Sequence, residues 1–172
     1  MRNGALRHGR LLAMVLLGGH AITAHAAEVT LRDDNFRPYR EYTTGPARIS
    51  NYPNLIAAEL IARVDRKSRA AATLVSMEIA YTGDQMRNYE SARNARAELL
   101  GFQQINHSRS CEKGMCTYDE TFAVEITPEE LRRAPPGGYQ FKVFGRGGGD
   151  ALITVPKGAI DRLLGAVDKQ RQ

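Results

Sequence analysis

The chain has no tryptophan, only two cysteines and only four histidines among its 172 residues. Each shortage narrows what the protein can do. Without tryptophan, a carbohydrate-stacking surface loses its best side chain. Two cysteines cannot build a four-sulfur metal site. Three of the histidines, His8, His20 and His25, lie in an N-terminal stretch that reads as a removable export signal, leaving His107 alone in the mature chain. One imidazole cannot form a His-rich zinc or copper centre, and it leaves a single candidate base for a Ser-His or Cys-His pair. No serine sits in a Gly-x-Ser-x-Gly elbow. The glycine run Gly145-Arg146-Gly147-Gly148-Gly149 lacks the Gly-Lys-Ser/Thr of a phosphate loop and leads into a strand-like segment, so it reads as a turn. These residues indicate no cofactor and no metal.

The export signal follows the usual three-part layout. Arg2, Arg7 and Arg10 give a positive start, Leu11-Leu12-Ala13-Met14-Val15-Leu16-Leu17 an apolar centre, and Ala24-His25-Ala26 a small-x-small site. Cleavage is expected between Ala26 and Ala27. The apolar centre falls short of the roughly 20 residues that cross a bilayer. No cysteine stands near the cleavage site, which argues against a lipid anchor. The expected location is the periplasm, or the exterior, of a Gram-negative-type cell.

Removing residues 1–26 also changes the charge. The whole chain carries 24 basic and 19 acidic residues, and three of the basic ones leave with the signal. The mature chain then holds 21 against 19, a net charge of +2. Its arginines are scattered among acids rather than clustered, which argues against a nucleic-acid partner. About 146 residues remain, enough for one domain with its own core.

Periodicity places the elements. Residues 27–54 read as an irregular N-terminal segment, with a possible edge strand at Glu28–Arg32 and a short strand possible at Ala47–Ser50. Residues 55–172 read as one β-rich domain. Within it, 55–65 is ambiguous: Ile56, Leu60 and Val64 have helical spacing, while Leu60, Ala62 and Val64 alternate as a strand, favoured from Glu59 onward. Thr73–Tyr81 alternates cleanly, residues 84–97 read as loop or one helical turn, and strands follow at Glu98–Ser108 and Thr117–Thr127. Thr127-Pro128-Glu129-Glu130 starts a short helix that Pro135-Pro136-Gly137-Gly138 stops. Tyr139–Phe144 and Ala151–Val155 form a last hairpin. Ile160, Leu163, Leu164 and Val167 then mark a C-terminal amphipathic helix from Pro156 to about Lys169. About seven short strands in an antiparallel run predict a mainly β fold, a β-sandwich or curved sheet closed by that helix.

The cysteines are Cys111 and Cys116, with Lys113-Gly114 as turn chemistry between two strand-like segments. In an exported chain the pair reads first as a disulfide clipping a hairpin, worth about 2 kcal/mol for so short a loop. A redox-active pair and a metal site with His107 are the weaker alternatives. On the next strand, Glu120 shares the apolar face with Tyr118, Phe122, Val124 and Ile126. A carboxylate there must be paired, protonated or at a cavity mouth. It either pairs with an arginine such as Arg109 or joins His107, Arg109 and Tyr118 around a polar pocket beside the disulfide, able to bind a small ligand or act as an acid/base pair.

The stretch Glu78-Ile79-Ala80-Tyr81 to Tyr89-x-x-Ala92, then Cys111-x4-Cys116-x-Tyr118-x-Glu120, then Leu131 and the terminal helix, resembles a group of small exported proteobacterial proteins without assigned function. The resemblance implies export and a β-rich fold and brings no catalytic residues. The chain departs from that group between Tyr81 and Leu100, where Met86 and Ala95-Arg96 stand in place of a Trp and a Gly-Gly pair. The function these observations favour is a non-enzymatic binding module for a protein or small-molecule ligand of the cell envelope. A small hydrolase using His107 or Glu120, and a thiol–disulfide component using Cys111 and Cys116, are the alternatives.

Overall fold

A computed structural model describes residues 28–46 and 54–170. The proposed signal, its cleavage site and the possible strand at Ala47–Ser50 lie outside the described residues.

The chain is mainly β. In order it forms β1 (Thr30–Arg32), β2 (Tyr39–Thr43), β3 (Leu55–Asp65), β4 (Ala71–Gly83), β5 (Tyr89–Asn94), β6 (Leu99–Glu112), β7 (Met115–Glu125), α1 (Pro128–Arg132), β8 (Tyr139–Gly145), β9 (Ala151–Val155) and α2 (Lys157–Lys169). All nine strands belong to one open antiparallel sheet, in the order β1-β2-β3-β4-β7-β6-β5-β8-β9. Two joins in that order are not sequence neighbours. β7 returns to lie beside β4, and β8 pairs with β5.

The strand count exceeds the expected seven because two strands fall where little pattern is visible. β2 lies in the segment read as irregular and β5 in the stretch read as loop or helical turn. β2 buries only Glu41, Tyr42 and Thr43, and β5 only Tyr89, Ala92 and Asn94. Polar residues thus fill positions that would otherwise show an apolar alternation, and partner strands decide the conformation. β1 and β2 pair onward to β3, so the N-terminal segment is built into the same sheet. Residues 55–65 are strand throughout, because Ala58, Leu60, Ala62 and Val64 line up against β4 and under α2.

One face of the sheet carries the core. Val75, Met77, Ile79 and Tyr81 of β4 and Tyr118, Phe122 and Val124 of β7 continue the β3 row, with Phe141 and Val143 of β8 and Ile153 and Val155 of β9 in the same cluster. Burying a side chain such as Phe122 is worth about 1.5–3 kcal/mol. The buried stripe of α2, Ala159, Ile160, Leu163, Leu164 and Val167, packs on β3 and β2. α1 begins as its sequence predicts: Thr127 Oγ1 accepts the Glu130 N–H at 3.2 Å and Pro128 stands in the first turn. It ends at Arg132, just before the prolines.

Candidate functional site

The β6–β7 hairpin is the longest in the sheet. A two-residue turn, Lys113 and Gly114, closes it, both residues at positive φ (52° and 83°), which matches the twist of the flanking strands. Cys111 and Cys116 sit directly opposite one another and are joined by a disulfide, with Cα atoms 4.1 Å apart. Arg109 folds back along the hairpin. Its Nε lies 3.0 Å from Cys111 Sγ and one terminal nitrogen 3.3 Å from Cys116 Sγ, and its guanidinium covers the Tyr118 ring at 5.8 Å.

Glu120 is therefore not the partner of Arg109. It is 1% exposed, and its carboxylate is taken up by a neighbouring loop. Oε1 accepts the Tyr81 hydroxyl at 2.5 Å and the Asn88 N–H at 3.1 Å, and Oε2 accepts the Tyr89 N–H at 2.9 Å. The β4–β5 loop is folded around this acceptor, with Asn88 at φ 52° aiming successive amides at it. The Tyr81 oxygen in turn accepts the Arg87 N–H at 2.6 Å, while the Arg87 guanidinium stacks 4.1 Å over the Tyr81 ring. Burial pushes the Tyr81 phenol well above its ordinary value; the Arg87 N–H opposes this and the Glu120 carboxylate adds to it. Tyr81 thus stays a neutral donor.

A third segment is tied into this cluster. Arg87 donates to the Tyr89 hydroxyl at 3.1 Å, which donates to the Gly149 carbonyl at 3.0 Å. Gly149 has φ 75°, and a Cβ there would fall 2.5 Å from Arg87 Nε. The glycine run is thus a turn, as its sequence implies, and a close-packed one. Sequence reasoning found Glu120 but missed its partners. Two of the three are main-chain amides of a polar loop, which carry no residue signature.

The four residues singled out from sequence share one face of the hairpin. His107 lies opposite Glu120, and Arg109 lies opposite Tyr118 one step nearer the tip. His107 and Glu120 line one open depression of about 430 Å³, with Tyr89, Phe102, Gln104 and Arg146 among its walls. His107 is exposed while Glu120 forms the floor. Tyr118 does not line the depression; it donates to the Asp84 carbonyl at 3.2 Å and stacks on Tyr81 with ring centroids 5.5 Å apart.

The depression marks where the sheet splits. β5 pairs with β6 at only two positions, Ala92 with Leu100 and Arg93 with Leu99, and then pairs with β8 instead. From Gly101 to Glu112, β6 is laddered only to β7 among the described residues. Side chains from Gln103 to Glu112 are exposed on both faces. Ile105 stands at an irregularity in the ladder between Gln104 and Asn106, 54% exposed. This is a long unpaired strand edge with few of the usual guards: no proline, no lysine, and Arg109 and Glu112 as its only formal charges.

Among the described residues no group of three or more His, Cys, Asp or Glu could hold a metal ion, and no helix is long and apolar enough to cross a membrane. No family model matches the chain, and no curated protein or solved structure is significantly similar to it.

Proposed function

We propose that the protein is an exported, non-enzymatic binding module of the cell envelope that captures a partner protein along the open edge of β6. The observation that carries this reading is the unpaired, exposed edge from Gly101 to Glu112. Its outward N–H and C=O groups have no partner strand among the described residues, so an extended segment of a partner can add there as a further strand through main-chain bonds. Gln103, Gln104, Asn106, Ser108 and Ser110 make the edge polar but nearly uncharged, a surface suited to main-chain pairing. The disulfide and the Glu120 cluster hold the hairpin at its tip and at its middle, which lowers the ordering cost of association. The β5–β6 split is also where we place the bend that makes this a curved sheet, a reading supported by the Tyr89–Phe122 ring contact at 5.2 Å.

A hydrolase using His107 and Glu120 is the second reading, favoured by their common depression. Against it stand the three donors already on the Glu120 carboxylate, which leave His107 as the lone accessible base.

Photo-crosslinking side chains placed at Ile105 or Ser108 in cells test the proposal, with Leu152 on the exposed β9 edge as control. A defined adduct from the β6 positions alone, together with slowed amide exchange over Gly101–Glu112 in the purified complex, is the expected result. Adducts formed equally from Leu152, or a complex with no protection along β6, would sink it.

A further inference from the structure

A second cavity, of about 260 Å³, lies far from the hairpin where the C-terminal end of α2 meets β2 and the β3–β4 turn. Arg40 and Tyr42 reach it from β2, Arg66 and Arg69 from the turn. The turn is firmly built. Asp65 accepts the Lys67 and Ser68 amides at 3.0 and 2.7 Å, and Arg69 adopts φ 62° and donates to the Gln170 carbonyl at the end of α2. Arg66 donates to the carbonyls of Arg37 and Asp34, both at 3.0 Å, and pairs with Asp33, as does Arg40 at 3.1 Å.

Tyr42 is the odd group. It is 3% exposed, yet its hydroxyl has no hydrogen-bond partner among the described residues. A buried hydroxyl left unpaired loses its hydration without replacement, so such a group in a cavity wall implies a partner that fills the cavity. Burial pushes its phenol above the ordinary value, with Arg40 and Arg69 opposing and Asp33 adding. It is a neutral donor facing a space ringed by guanidinium groups. Three arginines against the carboxylates of Asp33 and Asp65 leave the surroundings of that space positive.

We propose that this cavity is a binding site for a small oxyanion, a phosphate or carboxylate group, that accepts the Tyr42 hydroxyl and lies between the Arg40 and Arg69 guanidiniums. Each feature needed is present: a donor without an acceptor, cationic walls, and room for a few heavy atoms. An oxyanion also suits arginine's planar donor fork better than a lone water would.

Thermal melting and calorimetry of the mature protein with inorganic phosphate, and separately with acetate, test this, with chloride holding ionic strength constant. The expected result is a saturable rise in Tm with at least one probe. Tyr42→Phe should fold as well as the wild type or better without the probe, because it removes the unpaired hydroxyl and keeps the ring. It should also bind about tenfold more weakly. Arg69→Gln should lose the response, and Lys142→Gln, a charge change on β8, should keep it. No saturable response to either probe, or an undiminished one in Tyr42→Phe, would overturn the proposal.

Discussion

Two buried glutamates, Glu41 on β2 and Glu120 on β7, are held in opposite ways. Glu41 is 5% exposed and lies under arginines from the flanking strands, Arg63 at 3.0 Å and Arg32 at 3.4 Å. Both guanidiniums are themselves partly in water. Glu120 is met by a tyrosine hydroxyl and two main-chain amides, with no formal charge among these partners. The first arrangement ties three neighbouring strands side by side on the face away from α2. The second fixes the path of a loop, and through Arg87 and Tyr89 it reaches the glycine turn as well. Water can compensate the arginines if Glu41 is lost. The Tyr81 hydroxyl and the Tyr89 amide, bonded to Glu120 beneath the floor of the depression, are buried with it and are compensated far less.

The largest expected effect therefore falls on Glu120. Glu120→Ala strands one hydroxyl and two amides in a buried site, and should cost about 3 kcal/mol or more in denaturant unfolding. Glu120→Gln keeps the shape but turns a donor toward one of those donors, so it should recover only part of that loss. If Glu120→Ala melts within a degree of wild type, the cluster is not what holds the loop. Next comes Gly149→Ala. A Cβ there meets Arg87 at 2.5 Å on a backbone of φ 75°, and the expected cost is about 2 kcal/mol. Amide exchange should localise the damage to residues 84–90 and 145–150, leaving β3 and β4 protected.

This contrast was only half legible in the sequence. The clean alternation of β4 and β7 fixed which side chains share the core face, and a lone carboxylate among Tyr118, Phe122 and Val124 announced Glu120. The turn at Lys113-Gly114, the cap at Thr127 and the stripe of α2 were likewise readable, because each depends on local backbone or helical spacing. β2 and β5 were not. Their conformation is imposed by β3 and β8, and their buried positions include Glu41, Thr43 and Asn94, which look like surface residues until their partners are in place. The same holds for the open edge of β6. Nothing in Gly101–Glu112 shows that β5 leaves after two paired residues, since that departure is set by the Glu120 cluster and the pairing with β8. His107 and Glu120 sharing a depression follows from the hairpin register, which the turn at Lys113-Gly114 fixes.

Glu41→Gln sharpens the comparison through salt. Its partners are partly solvated cations, so at low ionic strength the substitution should cost about 1 kcal/mol. Raising salt to about 0.5 M shortens the screening length to a few ångströms and should shrink that difference. The loss in Glu120→Gln should not shrink, because hydroxyl and amide donors carry no net charge to screen. Equal salt dependence of the two variants would erase the distinction between the two sites.

The smallest effect is the one with the most specific signature. The Tyr81 phenol titrates above its ordinary value of 10 in the folded protein because burial disfavours the phenolate and the neutral hydroxyl donates a hydrogen bond to Glu120. In the unfolded chain it deprotonates near that ordinary value. The folded state thus retains a proton the unfolded state gives up, so this contribution is fully present below pH 10 and falls as pH rises toward the folded value. Near pH 10 the loss is only about 0.5 kcal/mol, and it steepens above. Tyr139, whose phenol burial and Glu130 also push up, adds a parallel decline. Tyr81→Phe should therefore start less stable at neutral pH, having lost the hydroxyl bond to Glu120, yet decline less steeply than wild type between pH 9.5 and 11 in urea unfolding. Parallel slopes for the two proteins would mean that Tyr81 ionises in the folded state as readily as in the unfolded chain, and that the Glu120 site is wetter than its geometry implies.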